Sequence, residues 1–136
     1  MKDKIYLDTN IIIYLYSTDE PSKRQDCLNL IKEYQEIIIN IHVLNEFTNI
    51  MLKKFKLKHD DVISAISELV TNFTTVSFDV KTIQSAIQIS NKYKFSYFDS
   101  LMIASALENK CSLFVSEDLQ HNQVVDDFLK IINPFK

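Results

Sequence analysis

Four carboxylates stand where the apolar pattern of this chain leaves little reason for them. Asp8 ends the run Ile5-Tyr6-Leu7. Glu46 follows Val43 by three residues and precedes Ile50 by four, so it falls on the apolar stripe of a helix-period segment. Asp99 precedes Met102 by three residues and Ile103 by four, again on an apolar stripe. Asp118 comes three positions after the apolar run Leu113-Phe114-Val115. A buried, unpaired carboxylate is costly and needs a partner. Few basic residues neighbour these four in sequence, whereas one shared divalent cation would compensate all of them. Carboxylate oxygen without sulfur suits Mg²⁺ or Mn²⁺. Each acid also has a plainer reading. Asp8 can cap the next helix through Asp8-Thr9-Asn10. Asp99 can complement a helix dipole, and Asp118 in Ser116-Glu117-Asp118 can belong to a turn. Glu46, in mid-stripe, is harder to explain this way.

The elements that must position these residues follow from periodicity. Lys4–Leu7 reads as a buried strand, Asn10–Ser17 as a very apolar helix, and Pro21 to about Tyr34 as a helix with proline in its first turn. Glu36–Ile39 reads as a β-branched strand. Ile41–Phe55 is a helix with Val43, Leu44, Phe47, Ile50 and Met51 on one side. Helices are predicted over Asp60–Phe73, Val80–Tyr93 and Tyr97–Asn109. Strands are predicted over Thr74–Phe78 and Leu113–Ser116, with Lys130–Ile132 as a last one. Strands alternating with helices imply an α/β fold with a mainly parallel sheet covered on both faces. Asp8 and Asp118 then stand at carboxyl ends of strands, where ligands of open α/β sheets bind.

Composition narrows the rest. The chain has 136 residues, is 46% hydrophobic and 24% charged, and shows no repeat or linker, so residues 1–136 are expected to form one domain. The net charge is −3, which does not mark a general polyanion binder, so contact with nucleic acid needs local positive charge or bound cations. Glycine is absent, which excludes the glycine-rich phosphate loops. Cys27, Cys111, His42, His59 and His121 do not fall at zinc-ligand spacing. The two cysteines read as reduced core thiols. The opening MKDKIYLD carries no apolar signal region, and runs such as Ile11–Leu15 and Ile37–Ile39 are too short to span a membrane. A cytoplasmic location is therefore expected.

The chain resembles the PIN-domain family, especially the VapC-like toxins of toxin–antitoxin pairs. The residues that carry the resemblance are Tyr6-Leu7-Asp8-Thr9-Asn10, Leu44-Asn45-Glu46-Phe47, the segment from Tyr97-Phe98-Asp99-Ser100 to Ala106, and Val115-Ser116-Glu117-Asp118-Leu119-Gln120-His121. They occur in the family's order and span nearly the whole chain. The resemblance implies a three-layer α/β/α sandwich and an acidic pocket that binds Mg²⁺ or Mn²⁺. It implies hydrolysis of RNA phosphodiesters, a homodimer, and inhibition by an antitoxin. Asp8, Glu46, Asp99 and Asp118 match the family's acidic positions, and Thr9, Asn10 and Ser116 its supporting polar ones. Relatives often carry glycine where this chain has Asn122, and asparagine tolerates the left-handed conformation such a turn requires.

Several readings stay open on sequence. Thr9 and Ser116 either orient carboxylates or serve as cap and turn residues. His121 is either a proton carrier or phosphate contact, or a solvent-exposed loop histidine. Lys53, Lys54, Lys56, Lys58 and His59 form either an RNA-docking patch or a solvated helix end. Tyr14, Tyr16, Phe95, Tyr97 and Phe98 are core, dimer surface or base-stacking groups. A receiver-type phospho-acceptor domain would want an acidic pair after the first strand, yet Asp8 has no adjacent acid and Asp79 is its only candidate acceptor. A haloacid-dehalogenase-like phosphatase would want Asp-x-Asp where this chain reads Asp8-Thr9-Asn10. An inactive binding module on the same fold is the remaining rival.

Overall fold

The computed structural model describes residues 3–136. Met1 and Lys2, which open the stretch read for a leader, lie outside the described residues. The order is β1 (Lys4–Leu7), α1 (Thr9–Tyr16), α2 (Pro21–Lys32), β2 (Glu36–Asn40), α3 (Ile41–Lys53), α4 (His59–Asn72) and β3 (Thr74–Val76). Then come α5 (Val80–Tyr93), α6 (Tyr97–Glu108), β4 (Leu113–Val115), β5 (Val124–Val125) and β6 (Leu129–Ile132). The strands form one sheet in the order β3-β2-β1-β4-β6-β5, parallel throughout except for the antiparallel pair β5–β6. With its helices the sheet makes the expected α/β/α sandwich.

The central strand is β1, and it explains the placement of the site. From β1 the chain steps outward to β2 and β3, then returns to lay β4 on the other side of β1. The strand order therefore reverses between β1 and β4, and at such a point the loops leaving the two carboxyl ends diverge and open a crevice. Ile5, Tyr6 and Leu7 have no exposed surface, so the register that carries Asp8 to the crevice is fixed by burial. Tyr6 stacks on Phe114 of β4 with ring centroids 5.6 Å apart, which ties the two strands side by side.

The absence of glycine has a visible consequence. Among the described residues, six take left-handed backbone without being glycine: Lys56, Lys94, Lys110, Asn122, Asp126 and Asp127. Asn122, at φ 70, takes the left-handed conformation expected of it. Lys94, at φ 65 and ψ 29, ends α5 by donating its backbone N–H to the Ser90 carbonyl. Both cysteines are buried free thiols, and burial lifts each to about 12.

Candidate active site

Each acid arrives at the crevice on a different element. Asp8 is the N-cap of α1, its Oδ1 accepting the Thr9 backbone N–H at 2.8 Å. Its Oδ2 accepts from the Ser116 hydroxyl, also at 2.8 Å, which links the ends of β1 and β4. Glu46 projects from the second turn of α3 and accepts from the Thr9 hydroxyl at 2.6 Å. Asp99 lies in the first turn of α6, where the N-cap Ser96 hydroxyl donates to its Oδ2 at 2.9 Å and accepts its backbone N–H at 3.2 Å. Asp118 accepts from the Asn10 amide at 2.9 Å. The capping expected of Asp8 and the helix-start position of Asp99 are therefore present, and they leave carboxylate oxygen facing the crevice.

All four acids line one open cavity of about 230 Å³, together with Thr9, Asn10, Ile13, His42, Ile50, Phe98 and Met102. Among the described residues no Lys or Arg lines it. Among the described residues none of the four forms an ion pair with Lys or Arg, and only Glu46 approaches a basic group, His42 Nε2 at 3.6 Å. The burial expectation holds for Asp8 but not for the rest. Asp99 is half-buried, while Glu46 and Asp118 are exposed. The stripe on α3 is carried by Val43, Leu44, Phe47 and Met51, and Glu46 lies on its margin, facing the cavity rather than the core.

Burial, reinforced by the charges of Asp99 and Asp118, lifts Asp8 from 3.8 to about 6, against the hydrogen bonds from Ser116 and Thr9 that pull it down. The pocket is therefore short of positive charge. A buried oxygen, Asn10 Oδ1, also has no donor. Carboxylates, an idle amide oxygen and no cationic side chain form a donor set suited to a hard divalent ion. The arrangement is looser than a closed cage, for no three His, Cys, Asp or Glu among the described residues form a ready metal-holding group. Each acid is turned instead to its own neutral donor, as mutually repelling charges would be.

Several supporting residues escaped the sequence reading. Glu117, between Ser116 and Asp118, accepts from the Tyr14 hydroxyl and pairs with Lys23, which anchors the turn after β4 to α1 and α2. Burial alone would raise Glu117, but these two partners outweigh it and hold it below its ordinary value. Asn40, fully buried, caps α3 through the His42 N–H and donates to the Ser105 hydroxyl on α6 at 3.1 Å, so the helices that carry Glu46 and Asp99 are cross-linked beneath the pocket. His42 stacks on Phe98. Its only signal in sequence was its position one turn before Glu46.

Other expectations are corrected or narrowed. His121 is neither a pocket residue nor a free loop histidine. It is half-buried, and its Nδ1 accepts the Asn133 backbone N–H at 2.9 Å. Asp79 caps α5 in a reciprocal box with Thr82 and does not line the acid cavity, which removes the candidate acceptor of a receiver domain. Lys53, Lys54, Lys56 and Lys58 are exposed and form no ion pair among the described residues. A larger groove of about 700 Å³ lies between α1, α2 and α4, lined by Leu15, Leu28, Ile31 and Leu69 among others. It is not the seat of chemistry, because its one carboxylate, Glu68, is taken by the Tyr16 hydroxyl.

Residues 5–126 match the family model described as the PIN domain. No curated protein matches the chain. Solved structures do. One chain of a toxin–antitoxin complex from Klebsiella pneumoniae is 14% identical, covers 98% of this chain and 99% of its own, and superposes with a TM-score of 0.75. The DNA-bound VapBC of Salmonella typhimurium is 16% identical over 94% of this chain and 96% of that one, with a TM-score of 0.68. A sarcin–ricin loop cleaving toxin of Mycobacterium tuberculosis is 14% identical over 82% and 87%, with a TM-score of 0.67. At these identities the likeness speaks for the fold.

Proposed function

The chain belongs to the PIN-domain family, and from that premise we propose that it is a divalent-metal-dependent endoribonuclease, one domain over residues 1–136, acting as the toxin of a toxin–antitoxin pair. The observation that carries the reading is the convergence of Asp8, Glu46, Asp99 and Asp118, from four elements, on one cavity without a cationic side chain. In this reading these four hold Mg²⁺ or Mn²⁺ and are the catalytic set. When bound, the ion supplies an activated water and relieves negative charge on the phosphate and on the departing oxygen.

The chain's own contribution is to hold and orient. Ser116 and the Thr9 N–H fix both oxygens of Asp8, leaving their remaining lone pairs toward the pocket. The Thr9 hydroxyl steers Glu46, and Asn10 steers Asp118. Such partners matter because a ligand that must find its rotamer binds more weakly. A cation held by the four acids would neutralise part of the phosphodiester's charge, and Lys53 to Lys58 supply positive charge at the far end of α3 for the flanking phosphates.

An antitoxin partner is part of the proposal because solved structures of this fold include VapBC assemblies. A homodimer is included because Val80 and Ile87 on α5 and Val124 and Phe128 around β5 leave apolar side chains exposed. No helix among the described residues is long and apolar enough to cross a membrane, and a cytoplasmic location is proposed with the toxin role. The loose spacing of the acids also suits an inactive PIN-fold binding module. The deciding assay incubates wild-type protein with single-stranded RNA in Mn²⁺ and in EDTA. Endonucleolytic products that vanish with EDTA support the nuclease, and intact RNA in Mn²⁺ supports the module. Arrested growth on induction, relieved by co-expression of the neighbouring reading frame, would support the toxin role.

A further inference from the structure

Phe98 is 62% exposed at the mouth of the acid pocket. Scattered exposed apolar residues need no explanation, but the setting of this one sets it apart. The His42 ring lies against it nearly parallel, centroids 5.6 Å apart and planes 9° from coplanar. Tyr97 meets it edge-on at 5.4 Å. His42 is itself braced by Phe78 and by Glu46. Of the other aromatic residues singled out in the sequence, Tyr14, Tyr16 and Phe95 are half-buried with partners, Tyr14 on Phe135, Tyr16 on Phe47 and Phe95 on Tyr93, and Tyr97 is less exposed than Phe98. Phe98 is therefore a stiffened ring with much of its surface open, beside four carboxylates.

Resting on the ribonuclease reading, we propose that Phe98, backed by His42, is a stacking subsite for one unpaired nucleobase next to the phosphate at the acid pocket. The electrostatics favour this occupant. Beyond a cation held by the four acids, the cavity offers no cationic side chain among the described residues and the chain carries a net charge of −3, so part of the affinity for a polynucleotide must come from its uncharged part. An aromatic face serves any base, and only an unpaired base can leave its own stack to reach it. A ring already held in place loses little freedom on binding. The layout of α3 supports the same occupant. His42 stands one turn, about 6 Å, before Glu46, Ile50 walls the pocket, and Lys53 follows Glu46 by roughly 10 Å along the axis. A single strand laid along α3 passes from the aromatic shelf over the acids to the unpaired lysines. The site thus selects single-stranded or looped RNA over duplex.

The chain contains no tryptophan, so Phe98→Trp installs its only indole at the subsite. Its fluorescence is titrated, with Ca²⁺ in place of Mn²⁺, against a short oligoadenylate, a duplex of equal length and an abasic ribose-phosphate oligomer. Quenching by the oligoadenylate alone is expected. In cleavage assays Phe98→Ala and Phe98→Leu should raise KM about 5- to 150-fold with little change in kcat, and Phe98→Tyr should restore it. Equal quenching by duplex or abasic oligomer overturns the proposal, as does an unchanged KM in Phe98→Ala. A shift of Phe98→Ala from dimer to monomer in sedimentation also overturns it, since a second copy would then cover the ring. If wild type cuts no RNA, the nuclease reading fails while the indole titration still decides whether a base stacks here.

Discussion

Replacing Asp8 by asparagine should make the metal-free protein more stable, although Asp8 makes two good hydrogen bonds. Asparagine preserves the shape and keeps an oxygen for the Thr9 N–H. The Ser116 hydroxyl has only to reverse its role and accept from the new amide. What disappears is a charge held among apolar strand ends and two neighbouring carboxylates. Burial and those charges raise Asp8 from 3.8 to about 6, a difference worth about 3 kcal/mol. The sign follows from proton counting. Between those values the folded chain keeps a proton that the unfolded chain has lost, so stability falls as pH rises through that window. Below about pH 4 the two proteins should be nearly equal. Above pH 6 to 7 Asp8→Asn should lead by up to about 3 kcal/mol, roughly 10 °C in Tm for a chain of this size. Mn²⁺ should close the gap by stabilising wild type through linkage, about 2.7 kcal/mol at a hundredfold excess over Kd, and the variant far less. The assay is thermal or urea unfolding from pH 4 to 8, in chelator and in Mn²⁺. A variant no more stable than wild type at pH 7.5 in chelator would refute the reasoning, as would equal Mn²⁺ shifts in both.

Three further outcomes follow from the geometry. Lys94→Gly should stabilise the protein by about 1 kcal/mol, because glycine takes the left-handed cap without the steric cost a lysine incurs, and a lower Tm would contradict this. His121→Ala should cost about 1 kcal/mol, since it strands the Asn133 N–H, and should leave RNA cleavage unchanged; lost cleavage in a folded variant would restore a catalytic role to His121. Replacing Lys53 and Lys56 by alanine should weaken single-stranded RNA binding and flatten the slope of log K against log salt by about 1.4, and an unaltered slope would remove the basic end of α3 from the interface.

Much of this fold is legible in the chain because burial and period agree. The range Val80–Tyr93 is read as it is observed, since its apolar spacing is clean; the structure adds the Asp79–Thr82 box that starts it. The sequence reading runs α2 and α3 about two residues past their ends at Lys32 and Lys53. Helices commonly stop at glycine, and here none exists: α2 ends at Glu33 in right-handed backbone, and the left-handed residue after α3 is Lys56, so residue type announces neither stop. The strand β5 is two residues long, too short for any period to show. At the site, the four acids are legible as departures from the apolar pattern. Their true exposure is not, because a margin position and a core position share the same helical spacing, as Glu46 demonstrates. His42 and Asn40 act through packing between helices distant in sequence, and their local marks are slight, a position one turn before Glu46 and a place at the start of α3.

The most direct test of the central claim pairs activity with stability in Asp99→Asn. This variant can still take the Ser96 contacts that start α6 but lacks the charge assigned to holding the cation. Single-stranded RNA cleavage in Mn²⁺ is measured for wild type and variant, with EDTA as control, beside thermal melts of both in chelator. The account predicts that Asp99→Asn folds as well as wild type or better and cleaves slower by orders of magnitude, and that EDTA silences wild type. Cleavage that survives EDTA, or that Asp99→Asn leaves intact while its stability drops, would contradict it.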